Sequence, residues 1–372
     1  MLAMRPLHLS FIVLLASLAV AQTATQNEAP TPKPMESPIP GNDPHLILLG
    51  RYDARDAAHP RFGYPGSGLA FRFQGTSAQI EIESTSDDSA LTLVIDHGGP
   101  QLQLLHRGKN SVDVRSTDSA PRTVEVYKRT ETWQGILTLL GIRLAGGESL
   151  LTPPPQPTRK LMFIGDSVTC GAGIDNNDRC EKDSALPANN AYESYGMLLA
   201  RRLDAQTHLV CYGGRGLIRD YRGLSDKDGV VNAPKFFQLG LASDAANDRA
   251  PWDSSRWQPH LILVSIGTND FNLQKSTPLD EKSWVAAYVA FIHDVRRHYR
   301  KSLILLTEGA IVTDPLLGQL VQRTVAQAHD KKVRYVKSQH YSGNGCDGHP
   351  TRLQHQHMAN DFEPVLRDAL RW

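Results

Sequence analysis

The hydrophobic periodicity of this chain changes once, at a proline cluster, TPPPQPT, that occupies 152–158. Before it, apolar and polar residues alternate. LAFRFQG sets Leu69, Phe71 and Phe73 on one face, AQIEIES does the same with Ile80 and Ile82, and ALTLVID, NSVDVRS, RTVEVYKR and LTLLGIRL continue the pattern. A period of two is that of half-buried strands. Gly, Asp and Ser clusters separate the runs at turn spacing, so 43–151 is expected to form an all-β sandwich of the jelly-roll type. After the cluster, the short apolar runs KLMFIG, HLVCYG, HLILVSIG, SLILLTEG and VRYVKS alternate with the helical stretches NAYESYGMLLARRL, SWVAAYVAFIHDVRRHY and PLLGQLVQRTVAQAH; HQHMANDFEPVLRDAL closes the chain. Strands apolar on both faces with helices between them define a parallel, doubly wound α/β sheet over 159–372. In such sheets ligands bind beyond the carboxyl ends of the strands.

The amino-terminal segment stands apart from both regions. Arg5 precedes an apolar run from Leu9 to Val20, and Ala19 and Ala21 have the small-x-small spacing of a cleavage site. That pattern is expected of a secretory signal over 1–21, and the run is short for a membrane span. Residues 22–42, rich in Pro, Thr and Ser, read as a linker. The mature protein is therefore expected to be secreted or periplasmic, with no membrane attachment after cleavage. The 40 Lys and Arg nearly balance the 39 Asp and Glu, which excludes the basic footprint of a nucleic-acid binder. Export permits disulfides among Cys170, Cys180, Cys211 and Cys346; four cysteines allow three full pairings, and the sequence does not choose among them. No CxxC pair offers a metal site.

Chemistry-bearing residues sit in four loops, three of them directly after apolar runs. In FIGDSVTCGAG, Ser167 follows the run ending at Gly165; a serine there is exposed at the sheet edge, although it could equally cap a helix. In CYGGRGL, Gly213, Gly214 and Gly216 let main-chain N–H groups approach a ligand, or simply make a tight turn. In SIGTNDF, Asn269 could donate its amide to an oxyanion, or form an Asn-Asp turn. In NGCDGHP, His349 lies in the last loop, with Cys346 three residues upstream and Asp347 only two.

The four blocks in this order, GDSVTCG, GGRG, GTND and DGHP, resemble the SGNH (GDSL-type) hydrolase superfamily. A jelly-roll ahead of such a domain, with PGSGLAFRFQGT, VEVYKRTE, AYESYGMLLARRL and IGTNDF, resembles carbohydrate esterase family 2, acetyl esterases of plant polysaccharides. The resemblance implies Ser167 as nucleophile and His349 as general base and acid. It implies an oxyanion hole made by the Ser167 and Gly214 N–H groups and the Asn269 amide, with Gly216 as the alternative register. Neither a metal nor an organic cofactor is implied. The expected partner is acetylated plant cell-wall polysaccharide, xylan or glucomannan.

Two departures matter. Family members often carry Trp between the Asp and His of the last block, where Gly348 stands here. Sugar stacking would then fall to Tyr192, Phe271, Trp252 or Trp257, each of which is as well read as core. The carboxylate expected at 346 is a cysteine; some members with a Ser–His dyad use the main-chain carbonyl at the position of Asp347, which is the holding group expected for His349 ahead of the Asp347 side chain and of a distant acid. Two rivals remain open at this point: a lipid esterase, lysophospholipase or thioesterase on the same scaffold, and a glycan-binding protein with a vestigial site.

Overall fold

The computed structural model describes residues 35–146, 148–175, 188–274, 276–341, 343 and 348–372. The signal and most of the linker expected before residue 35 lie outside the described residues, as do Cys180, Cys346 and Asp347.

Ten strands form the amino-terminal sandwich: β1 (Leu46–Leu49), β2 (Arg61–Phe62), β3 (Gly68–Gln74), β4 (Ser77–Ser84), β5 (Ala90–Ile95), β6 (Gln101–Leu104), β7 (Gly108–Arg115), β8 (Pro121–Lys128), β9 (Leu137–Leu144) and β10 (Ser149–Leu151). One sheet runs β1-β3-β8-β5-β6 with β10 also on β3; the other runs β2-β9-β4-β7. Every described pairing in both is antiparallel. The alternation in the sequence becomes a core between the sheets, where Phe71, Phe73 and Leu93 of one meet Ile80, Ile82, Val112 and Leu139 of the other. β1, β2, β6 and β10 escaped the sequence reading: each has four residues or fewer, too short for an alternation to declare itself. Over 152–158 the chain has no regular structure.

The second region is a parallel sheet of five strands, ordered β12-β11-β15-β16-β17: β11 (Arg159–Gly165), β12 (Ala205–Cys211), β15 (Leu261–Ser265), β16 (Leu303–Thr307) and β17 (Val333–Tyr335). A two-stranded ribbon of β13 (Leu239–Leu241) and β14 (Ala250–Pro251) lies between β12 and β15 in the chain. The helices are α1 (Ser167–Cys170), α2 (Tyr195–Arg202), α3 (Ala233–Phe236), α4 (Thr268–Phe271), α5 (Glu281–His298), α6 (Pro315–Ala328) and α7 (Arg352–Leu370). Alternate strand residues face opposite layers. Leu161, Phe163, Leu261 and Leu263 pack with Tyr195 and Leu199 of α2 and Phe362 and Leu366 of α7. Met162, Ile164, Ile262 and Val264 pack with Trp284 and Tyr288 of α5 and Leu317 and Leu320 of α6. Burial on both faces is why the runs were continuously apolar.

The strand order reverses at β11. Chain leaves β11 for β12 on one side, then crosses to β15 on the other, so the loops after β11 and β15 diverge and leave a crevice. The sandwich is anchored to the α/β region by buried polar groups. Arg51 donates to the carbonyl of Leu239 at 3.0 Å and to the hydroxyl of Tyr299 at 3.1 Å, and the Tyr64 hydroxyl donates to the carbonyl of Phe236 at 2.5 Å.

Candidate active site

The loop that carries Ser167 is built by close packing. A Cβ at Gly165 would lie 2.0 Å from the Thr169 hydroxyl and 2.9 Å from the Ser265 carbonyl, so only glycine lets β11 turn this tightly into α1. Asp166 caps the helix: its carboxylate accepts the Val168 N–H at 3.1 Å. Burial raises the Asp166 carboxyl, opposed by the Val168 N–H, Thr268 and the charge of His349. Ser167 is the first residue of α1, where main-chain N–H groups have no intrahelical acceptor. Thr169 meets the Tyr195 hydroxyl at 2.9 Å, which ties α1 to α2.

His349 reaches this serine from the other end of the chain. Its Nε2 lies 2.7 Å from Ser167 Oγ, across 182 residues of sequence. The start of α7 fixes the histidine's exit: Thr351 caps the helix and exchanges hydrogen bonds with Gln354, and Pro350 separates His349 from that cap. Gly348 has φ of 74°, a left-handed conformation that a tryptophan would adopt only under strain. Asp347, expected to hold His349, is outside the described residues.

A disulfide joins Cys170 at the end of α1 to Cys211 at the end of β12, with Cα atoms 5.6 Å apart. It pins the helix that carries Ser167 to the strand that leads into the glycine loop. There Gly214 is left-handed, with φ of 74°. Asn269, buried at the start of α4, donates its side-chain amide to the carbonyl of Arg215 at 2.9 Å, so the asparagine and glycine loops are joined directly. The neighbouring residue completes the clamp. Asp270 accepts from the N–H groups of Leu217, Ile218 and Arg219 at 2.7, 2.9 and 3.3 Å. Burial pushes its carboxyl up to about 6 against those donors and Arg219. A Cβ at Gly216 would lie 2.2 Å from the Asp270 carboxylate, so Gly216 is required by this clamp, leaving Gly214 as the turn residue beside Asn269. The sequence reading gave Asp270 no part of its own; it anchors a loop distant in the chain.

The four aromatics expected to offer sugar stacking each have a packing partner. Phe271 is buried and packs edge-on to Trp284 at 6.3 Å. Trp257 is buried with its ring stacked on His208 at 3.7 Å, and Trp252 meets the same histidine edge-on at 5.4 Å. Tyr192 packs on Tyr127 at 5.5 Å, beneath the Arg201 guanidinium at 3.9 Å. Exposed aromatics at the catalytic loops are different ones. Tyr221 is 49% exposed and lies 2.9 Å from where a Gly214 Cβ would be; Trp133 is 56% exposed on the short 3₁₀ turn Thr132–Gln134, which abuts the glycine loop. Nothing in the local sequence separates exposed rings from buried ones in so aromatic a region.

Fold and site together define a hydrolase of the SGNH, or GDSL-type, class. Residues 163–368 match the model of the GDSL-like lipase/acylhydrolase family, and residues 48–154 match the carbohydrate esterase 2 N-terminal model. An acetylxylan esterase / glucomannan deacetylase of Cellvibrio japonicus is 38% identical over 339 residues, 90% of this chain and 91% of the relative. The structure of a family two carbohydrate esterase from Cellvibrio japonicus superposes with a TM-score of 0.83 at 36% identity, over 90% of this chain and 98% of that one. That of a family two carbohydrate esterase from Clostridium thermocellum in complex with cellohexaose gives 0.78 at 27% identity, over 88% and 99%. The chain belongs to carbohydrate esterase family 2 and is a carboxylic ester hydrolase.

Proposed function

We propose that this protein is an exported serine esterase that removes O-acetyl groups from plant cell-wall polysaccharide, acetylated xylan or glucomannan, through an acetyl-serine intermediate. The observation that carries the reading is the 2.7 Å approach of His349 Nε2 to Ser167 Oγ at the switch point of the sheet. Ser167 Oγ attacks the acetyl carbonyl as His349 takes its proton. The oxyanion is met by the Ser167 and Gly214 N–H groups and by the Asn269 N–H that Arg215 does not hold. Collapse breaks the ester bond, and His349 returns the proton to the departing sugar hydroxyl. Water then attacks the acetyl-serine, again giving its proton to His349, and acetate leaves with Ser167 restored. The apolar run before Ala21 supports export, and the Cellvibrio relative's activity supports the substrate.

Acetate release from acetylated xylan and acetylated glucomannan tests the reading, alongside a chain-length series of p-nitrophenyl esters. Acetate release with a preference for p-nitrophenyl acetate is expected, and Ser167→Ala should abolish both while the protein remains folded. Activity that rises towards octanoate would transfer the protein to the lipid esterases. Xylan binding without acetate release would make it a glycan-binding protein.

A further inference from the structure

The end of β8 and the loop after it bring buried ionisable groups, Lys128 and Glu131 among them, from the sandwich to the loops around Ser167. Glu131 is 2% exposed and Lys128 is 1% exposed. Lys128 Nζ donates to the carbonyls of Thr130 and Glu131 at 2.8 and 2.5 Å, which folds the segment back on itself and directs the Glu131 side chain outwards from the sandwich. What that side chain meets is Gly213. A Cβ on Gly213 would lie 2.1 Å from Glu131 Oε2 and 2.6 Å from its Cδ and Oε1, so the carboxyl occupies the space where any other residue would place its side chain. Oε2 is buried and has no hydrogen-bond partner.

The same segment holds the surroundings of the site at three further points. The Thr132 hydroxyl donates to the carbonyl of Cys211 at 2.7 Å, at the disulfide that also secures α1. The Arg129 carbonyl accepts from the Ala191 N–H at 3.0 Å. Gln134 accepts from the Asn189 amide at 2.6 Å, and Asn189 in turn accepts from the Gly173 N–H at 3.0 Å.

We infer that Glu131 is a positioning residue of the esterase: its carboxyl, supplied by the sandwich, sets the Gly213–Gly214 peptide and with it the oxyanion-binding N–H. This rests on the assignment of Gly214 and Asn269 to the oxyanion hole. A carboxyl is an expensive filler for a domain junction, since burying an ionisable group with an unpaired oxygen is destabilising where an apolar side chain would add stability. Burial pushes the Glu131 carboxyl up to about 7; the Gly213 N–H, Lys128 and the Trp133 side chain favour its charge, and Asp166 opposes it. The group therefore responds electrostatically both to the glycine loop and to the cap of the nucleophile helix. Trp133, two residues on, is 56% exposed on the short 3₁₀ turn of the same segment.

The experiment is a double-mutant cycle between Glu131→Ala and Asn269→Ala, with kcat and KM for p-nitrophenyl acetate and thermal melting measured on each variant. Glu131→Ala alone should lower kcat by about 10²-fold and change KM by less than about threefold, as expected for an interaction expressed in the transition state. In the Asn269→Ala background the same change should cost about tenfold or less, because both residues act on one oxyanion. Glu131→Gln, which keeps an acceptor for the Gly213 N–H, should restore kcat to within about fivefold of wild type. A kcat within threefold of wild type in folded Glu131→Ala, or an equal loss in both backgrounds, would reduce Glu131 to a domain anchor and overturn the inference. If Glu131→Ala does not fold, Glu131→Asp replaces it: one methylene shorter, it withdraws the carboxyl from Gly213 and should still lower kcat by about tenfold or more at unchanged KM. An Asn269→Ala variant with undiminished kcat would instead sink the oxyanion assignment itself, whatever Glu131 does.

Discussion

Asn269 gives one of its amide hydrogens to the main-chain carbonyl of Arg215, 2.9 Å away, and so lashes the end of β15 to the glycine loop after β12. That bond fixes the orientation of the amide: the nitrogen is on the side of the glycine loop, and its second hydrogen is the one available to a ligand. Pre-orientation of this kind is what makes a neutral amide effective against a developing negative charge.

Asn269→Ala removes both bonds. The expected result is a fall in kcat of about 10²–10³ with a smaller change in KM. Steady-state kinetics on p-nitrophenyl acetate and on acetylated xylan will separate the two parameters. A change confined to KM would make Asn269 a ground-state binding residue.

The Cys170–Cys211 bridge closes a loop with a sequence separation of 41 and links the helix that carries Ser167 to the strand before the glycine loop. Loop-closure entropy for this length gives about 4 kcal/mol as the chain-entropy contribution to stability. Cys170→Ala combined with Cys211→Ala should therefore lower the unfolding free energy by about 2–4 kcal/mol in urea titrations. Because Thr132 also holds the Cys211 carbonyl, the double variant should keep part of its activity at temperatures where it remains folded. Unfolding free energies equal within error would show that the bridge adds nothing that hydrogen bonding does not already supply.

Periodicity carried the fold, because both of its signals are physical consequences of layer packing: alternation where a sheet has one buried face, continuous apolar runs where it has two. The Ser167, Gly214, Asn269 and His349 blocks were legible for a related reason, as each sits directly beyond a strand or in the loop that precedes α7. The parts that stayed hidden depend on distance in the chain. Asp270 acts on 217–219, and Glu131 acts on Gly213 from another layer of the molecule; neither relation leaves a trace in local pattern. A ring in a sandwich-to-α/β junction has the same sequence surroundings whether it packs on His208, as Trp257 does, or faces solvent, as Trp133 does.

His355 makes stability depend on pH. It is fully buried in α7, its Nδ1 accepts the Tyr195 N–H at 3.1 Å, and its ring stacks on Tyr195 at 6.1 Å. Burial first, then the charge of His349, brings its pKa down from 6.5 to about 3. The folded protein thus keeps the ring neutral where the unfolded chain takes up a proton. This contribution is complete above about pH 6.5 and is lost as pH falls towards 3, at up to about 1.4 kcal/mol per pH unit. His355→Asn keeps an acceptor for the Tyr195 N–H but has no proton to gain. Denaturant titrations from pH 7 to pH 4 should give a flatter stability profile for the variant than for wild type. Parallel profiles would mean that the acid lability lies in other groups.

His349 needs a second partner to keep Nε2 on Ser167, since the other ring nitrogen must donate its hydrogen if Nε2 is to act as base. Asp347 stands two residues before it rather than three. A main-chain carbonyl at 347 is present whatever its side chain does and requires no side-chain reach. The expected holding group is therefore the carbonyl of Asp347. A carbonyl bears no full charge, so it orients the ring and stabilises the imidazolium less than a carboxylate would. Replacing the side chain leaves that carbonyl in place. His349→Ala should be nearly inactive, while Asp347→Ala should lose no more than about tenfold in kcat, against about 10⁴ for the acid-to-amide change in a serine-protease triad. Both variants should be assayed with melting curves, so that a loss of fold is not read as a loss of catalysis. A 10⁴-fold fall in folded Asp347→Ala would assign the role to the carboxylate, and this esterase would then work as a full triad with its acid one residue closer to the histidine than the usual spacing.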